Sequence, residues 1–349
     1  VEFVPIIVYD IWEYIYNMCI KNIIDKMCRI IVTICIGCNY SKNEGNMRQE
    51  FEARLFNTID KEKIRVNESM EKHTTFHIGG PADYFVMPSE IEEVKAVTEL
   101  CEQENVPYYV VGNGSNLLVG DKGFRGVIIQ IAGKMNQIQV EGEVITAQAG
   151  CSLAQIAGKA LEAELTGFEF AAGIPGTLGG AVRMNAGAYG GEIKDVLESA
   201  VILTKEGKIL EFPLEEMEFG YRTSIIERTG GIVLGGKIRL HKGNRTEIKA
   251  MMDDLRERRT SKQPLEYPSA GSTFKRPEGY YAGKLIQDAG LKGFRVGGAC
   301  ISEKHSGFVI NIDHATAADV VSLMEQVDEK VKEQFGVGLE PEVRRIGEF

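Results

Sequence analysis

Between Gly167 and Gly191 the chain reads GFEFAAGIPGTLGGAVRMNAGAYGG, and eight of these 25 residues are glycine. Glycine lets the backbone enter positive φ and approach a ligand closely, at a cost in conformational entropy on folding. Phe, Ile, Leu, Val and Met are interleaved, so the stretch is neither polar nor low in complexity. Tight turns between short core strands account for many glycine clusters. Here a second glycine–asparagine turn lies upstream and a polar, charge-bearing tail lies downstream. Together they point to a buried backbone wall around a large flat ligand.

A chain of 349 residues has room for two or three domains and a large core. Hydrophobic residues make up 44% and charged residues 26%, an ordinary balance for a soluble protein. The formal net charge of -10 argues against nucleic acid as the main partner, because phosphate binding needs a basic surface. A local basic cluster, Arg256, Arg258, Arg259 and Lys262, still suits a phosphorylated small molecule. Seven cysteines, with Cys101, Cys151 and Cys300 scattered singly, argue against a disulfide framework and for a reducing compartment. Cys35-Ile-Gly-Cys38 has metal or redox spacing, but no second pair accompanies it, so no metal is expected.

The first 46 residues differ from the rest in being rich in Ile, Cys, Tyr and Met, with charges breaking every apolar run. The longest uncharged stretch, Ile30 to Ser41, is shorter than the roughly 20 residues a membrane span needs. The order of a secretory signal is absent as well. Residues 1–46 are therefore expected to be an atypical extension without function, and no stable membrane insertion is expected.

From Lys63 onward strands and helices alternate. Ser89-Glu-Ile-Glu92 and Ser152-Leu-Ala-Gln155 each read as a capping box opening a helix. Pro107–Gly112 reads as a buried strand ending in the turn Gly112-Asn-Gly-Ser-Asn116, and Val127–Ile131 as another strand. Hairpins are expected at Ile138–Thr146 and Val201–Phe212, and a strand at Val233–Leu240. A basic helix around Ile248–Arg259, an amphipathic helix over Ala317–Phe335 and a terminal strand over Leu339–Ile346 follow. Hairpins mixed with helices imply an α+β architecture, divided near 47–127, 128–247 and 248–349.

Gly112–Asn116 follows a strand, where successive N–H groups can form a concave anion site. The third glycine of a dinucleotide fingerprint is missing, and Leu-Leu-Val after it looks like a strand, so taken alone the motif reads as a plain β-turn. His77 in TTFHIGGPADYF reads as a packed histidine. Tyr221-Arg-Thr-Ser224 sets an arginine between an aromatic and two hydroxyls, and Ser272 sits in the small-residue turn Ala270–Phe274. In LEPEVRR, Glu342 and Arg344 would share one strand face, and Glu340 and Glu342 read equally well as solvated edge charges. GxSxG is absent, which leaves hydrolase chemistry without support.

These segments in this order resemble the UDP-N-acetylenolpyruvoylglucosamine reductases. The resemblance runs from about Ile64 to Ile346 through TTFHIGGPADYFVMP, VVGNGSNLLVGDKGFRGVII, GFEFAAGIPGTLGGAVRMNAGAYGGE, FGYRTSII, SKQPLEYPSAGSTFKRP, AGKLIQDAGLKG and LEPEVRRIG. It implies an FAD-binding domain of the vanillyl-alcohol-oxidase type, built from two subdomains, followed by a C-terminal α+β substrate-binding domain. It further implies non-covalent FAD, NADPH as hydride donor, a cytoplasmic location and UDP-N-acetylglucosamine enolpyruvate as the substrate of peptidoglycan-precursor synthesis. Gly112, Asn113, Gly114, Ser115 and Asn116 would cradle the pyrophosphate. Gly173, Ile174, Pro175, Gly179, Gly180, Asn185, Ala186 and Gly187 would wall the flavin and its surroundings. Arg222, Ser272 and Glu342 carry over as catalytic positions, and Tyr221 and Lys262 as substrate contacts. No tyrosine-bearing loop is evident between Tyr221 and Lys262, which matches a shorter subtype of the family.

The residue types suit the chemistry. Hydride addition to the β-carbon of an enol ether creates an enolate-like carboxylate, whose charge needs a fixed cation and a donor. Arg222 supplies the permanent charge, Glu342 would donate if protonated, and Ser272 would deliver a proton to the α-carbon. Another FAD-linked oxidase or dehydrogenase of the same cofactor fold is the alternative, and it would favour histidine or tyrosine bases near the flavin.

Overall fold

The computed structural model describes residues 48–349, so the expectations for residues 1–46 and for Cys35–Cys38 lie outside it. Residues 48–57 are helical and belong to an N-terminal unit, and Thr58–Phe349 form a second compact unit. Among the described residues no helix is long and apolar enough to cross a membrane.

Three sheets organise this unit. The first has the order Ile64–Ser69, Pro81–Val86, Phe124–Gln130, Tyr108–Val111. Its first pair is antiparallel, while Phe124–Gln130 runs parallel to both neighbours. Val127, Ile128 and Ile129 are fully buried, as expected of a parallel central strand covered on both faces. The second sheet is antiparallel, in the order Ile209–Pro213, Leu197–Leu203, Ile232–Arg239, Val144–Gln148, Ile138–Glu141. Both expected hairpins are present; Gly142, at φ +62°, turns the one that pairs Val140 with Ile145. A third sheet, Arg295–Val296, Ala299–Ile301 and Val309–Asn311, packs with the helices Ala282–Asp288 and Ala317–Phe335. The longer helix buries Val320, Leu323, Met324, Val327 and Val331 on one face. A capping box from Thr316 and Asp319 opens it and a left-handed Gly336 closes it. The fold is thus α+β, with the first two sheets preceding a C-terminal α+β portion built on the third.

The structure revises four local expectations. Ser152 and Gln155 do form a capping box, but Ser89 and Glu92 do not. That helix starts at Ile91, and Glu93 rather than Glu92 turns back, accepting the Ser89 N–H at 2.8 Å while Lys63 binds its other oxygen. Tyr108–Val111 is only half-buried, because its solvent-side face lines cavities. His77 is exposed at φ +53°, on a left-handed turn that sends Phe76 and Ile78 inward. The terminal strand spans Arg344–Ile346 alone, parallel to Leu117–Val119. Upstream, Pro341 has no N–H for a ladder and makes only an isolated bridge to Phe274, so Glu342 shares no strand with Arg344.

Candidate active site and cofactor cleft

The turn Gly112–Asn116 leaves the strand Tyr108–Val111 and enters Leu117–Val119. Gly114 sits at φ +64°, where an added Cβ would lie 2.1 Å from the His73 carbonyl oxygen, so only glycine fits. Among the described residues, no backbone N–H from Gly112 to Asn116 donates to a protein acceptor. Unpaired N–H groups are costly away from water, and a run of them in a cleft is a ready anion site.

Across the cleft stands the glycine-rich segment, and its glycines serve different ends. A Cβ on Gly176 or Gly180 would meet nothing closer than 3.7 Å, so these two keep space open in the cleft. Gly179 is pressed on Ala149 of the sheet, and Gly187 on its own hairpin. Gly173 abuts the side chain of Arg259, whose pKa burial holds down. Ile174 and Ala186 line the cleft, and Pro175 accepts a hydrogen bond from Asn113 Nδ2 at 3.2 Å. Asn185 does not reach it. Its side chain is fully buried, donating to Glu192 and the Gly220 carbonyl and accepting the Lys194 N–H. Two neighbouring cavities, of about 550 and 130 Å³, share Tyr109, Gly112, Thr177, Gly180 and Arg183 as walls, and the smaller one runs along the turn. Tyr109, Thr177, Arg183 and Glu227 were not singled out from sequence, although Arg183 is the one cation within the glycine-rich stretch.

A third cavity, of about 470 Å³, holds Tyr221, Arg222, Ser272 and Glu342 together. They come from three distant segments. Arg222 occupies the left-handed region at φ +56°, a strained backbone of the kind found at functional sites. Its Nε donates to Glu342 Oε1 at 2.8 Å and its Nη2 to the Gly187 carbonyl at 3.3 Å. Its guanidinium lies 5.2 Å from the centre of the Tyr221 ring, and the Tyr221 hydroxyl accepts the Arg276 N–H. Glu342 donates its N–H to the Thr273 carbonyl at 2.8 Å, which sets it beside Ser272. Burial pushes the Glu342 carboxyl above its ordinary pKa, against the pull of Arg222, Lys275 and Arg344. Glu340, by contrast, is a solvated edge charge paired with Lys275.

Lys262 ends the helix Arg245–Lys262, exposed, and does not line this cavity. Lys304 does, with its ammonium donating to the Thr260 carbonyl near that helix end. His305 also lines the cavity. Its Nδ1 accepts the Gly307 N–H at 3.1 Å, so the neutral ring carries its proton on Nε2, and burial lowers its pKa.

The chain matches the FAD-binding domain family over residues 82–213 and the C-terminal domain of UDP-N-acetylenolpyruvoylglucosamine reductase over residues 263–346. It is 56% identical over 298 residues to the UDP-N-acetylenolpyruvoylglucosamine reductase of Lachnoclostridium phytofermentans, covering 84% of this chain and 96% of that one. The enzyme of the same name from Alkaliphilus metalliredigens is 52% identical, covering 87% and 98%. The crystal structure of UDP-N-acetylenolpyruvylglucosamine reductase from Thermus caldophilus superposes with a TM-score of 0.71 at 38% identity, over 81% of this chain and all of that one. A cleft walled by unpaired N–H groups and glycines fits FAD, and the chain belongs to the UDP-N-acetylenolpyruvoylglucosamine reductase family.

Proposed function

We propose that this chain reduces UDP-N-acetylglucosamine enolpyruvate to UDP-N-acetylmuramate in peptidoglycan-precursor synthesis, in the cytoplasm, with NADPH as the reductant. In this reading residues 47–127 and 128–247 hold the cofactor and residues 248–349 the substrate. FAD held in the cleft would supply the hydride for the β-carbon of the enolpyruvyl group, drawn from NADPH. Gly112–Asn116 would present its N–H groups to the diphosphate of FAD, with Gly176 and Gly180 leaving it room.

The observation that carries the reading is the meeting of Arg222, Glu342 and Ser272 in one cavity. Hydride at the β-carbon leaves negative charge spread over the α-carbon and the carboxylate. Arg222 meets that charge with a fixed planar cation, already oriented by Glu342 and Gly187. Glu342, its pKa raised by burial, donates to the same oxygens when protonated. Ser272, free of protein hydrogen-bond partners among the described residues, delivers its hydroxyl proton to the α-carbon and regains one from water in the open cavity. Tyr221 packs the arginine in place, and Lys304 and His305 offer donors to the charged end of the substrate. Lys262 is a weaker candidate for that contact, because it lies outside the cavity wall.

The test is anaerobic. The holoenzyme is reduced with NADPH, the nucleotide substrate is added and flavin absorbance is followed. Prompt reoxidation with formation of UDP-N-acetylmuramate supports the proposal, while reoxidation by oxygen alone overturns it.

A further inference from the structure

Arg183 is the one cation of the glycine-rich stretch. It ends the helix Leu178–Arg183, and its side chain lies over the Tyr109 ring, 5.6 Å from the centroid. Its Nε donates to Glu227 Oε1 at 2.8 Å, and Glu227 Oε2 takes Nη2 of Arg344 at 3.1 Å. One carboxylate therefore aligns two arginines. The terminal nitrogens of Arg183 have no hydrogen-bond partner among the described residues. Burial opposes its charge, yet Tyr109 and Glu227 outweigh that and hold its pKa above the ordinary value.

Its position explains what such a cation could serve. Arg183, Gly112, Thr177 and Gly180 wall both cavities of the cofactor cleft, and so mark their junction. A dinucleotide has its two halves joined by a diphosphate, and the turn Gly112–Asn116, with its unpaired N–H groups, lines the smaller cavity together with Arg183, Gly112 reaching the junction itself. Two negative phosphates there would face N–H donors on one side and a guanidinium on the other.

We propose that Arg183 is a second anchor for the diphosphate of FAD, opposite the Gly112–Asn116 turn, and that Glu227 is the positioning residue that holds it there. This rests on FAD occupying the cleft, and its test does not depend on the substrate. The readout is FAD affinity and FAD-dependent melting of the full-length chain, before and after deflavination. Arg183→Met keeps the stem on Tyr109 and removes the charge. It should weaken FAD binding about 10- to 100-fold and shrink the rise in Tm on FAD addition, with the Tm of the apoprotein unchanged. Arg183→Lys should restore part of the affinity, and Glu227→Gln should lose several-fold. Arg228→Met, an exposed neighbour paired with Glu218, is the control and should change nothing. An apoprotein melting as far below wild type as the holoenzyme would make Arg183 a packing residue and overturn the proposal. Unchanged FAD affinity would overturn it too. If Arg183→Met does not fold, the same comparison on Arg183→Lys and Glu227→Gln decides between the outcomes. Failure of the cofactor reading itself would show separately, as no FAD bound to the wild-type chain.

Discussion

The cofactor cleft and the reaction cavity solve their tasks with different materials. The cleft is built of backbone: unpaired N–H groups on one wall, and glycines whose missing Cβ atoms leave room on the other. The cavity beyond it is built of side chains from positions near 222, 272 and 342, each delivered by irregular backbone rather than by a regular element. Backbone tolerates few changes at a given position but carries little chemical identity. Side chains carry the identity and can be exchanged without moving the chain. Damage to the first region should therefore appear in retention of the cofactor, and damage to the second in the rate.

The largest expected effect lies in the cavity. Ser272→Ala should slow substrate reduction by about 10²–10⁴-fold, the range of a lost general acid, and leave flavin reduction by NADPH nearly intact. Stopped-flow traces of the two half-reactions check this; equal slowing of both would erase the distinction drawn here. Next is Gly114→Ala, which forces a Cβ onto the His73 carbonyl at positive φ. A cost of about 1–3 kcal/mol is expected from that strain, read as FAD lost during gel filtration and a lower Tm. A fully loaded, unshifted variant would mean the turn is not the rigid wall described. The pH dependence separates the regions more finely. The raised pKa of Glu342 keeps it protonated to higher pH, so the rate of substrate reduction should fall as pH rises through that value. Glu342→Gln should be slower and lack that limb, and its persistence would assign the titration elsewhere. Smallest is Lys262→Ala, expected to change KM less than Lys304→Ala, because only Lys304 lines the cavity. The reverse order would restore Lys262 as the substrate contact.

How much of this was legible in the sequence follows the same division. Gly112–Asn116 and the glycine-rich stretch announce themselves locally, because positive φ and close approach leave a glycine signature. The helix Ala317–Phe335 is legible to its ends, since Thr316, Asp319 and Gly336 mark both caps. Arg222, Ser272 and Glu342 were named through resemblance; no local periodicity brings residues so far apart to one cavity. The burial that separates Glu342 from the otherwise similar Glu340 is a tertiary fact. Asn185 shows the limit in the other direction, since its place in a ligand-facing stretch hid that its amide is spent inside the protein. Arg183 was invisible as a site residue because its partners, Tyr109 and Glu227, lie far from it in the chain.

Asn116 closes the turn Gly112–Asn116 with its side chain on the Glu342 carbonyl, across 226 positions of sequence, and its own carbonyl on the Arg344 N–H. Contacts of such separation form only after the intervening chain has been ordered, because loop closure must be met before the contact rewards it. The turn Gly112–Asn116 and the segment bearing Glu342 are therefore expected to consolidate together, late in folding. Refolding followed by flavin fluorescence should then show FAD captured in the same slow phase that buries Glu342. A partly folded chain would then hold neither a tight cofactor nor a positioned Glu342, so the one would not be gained without the other.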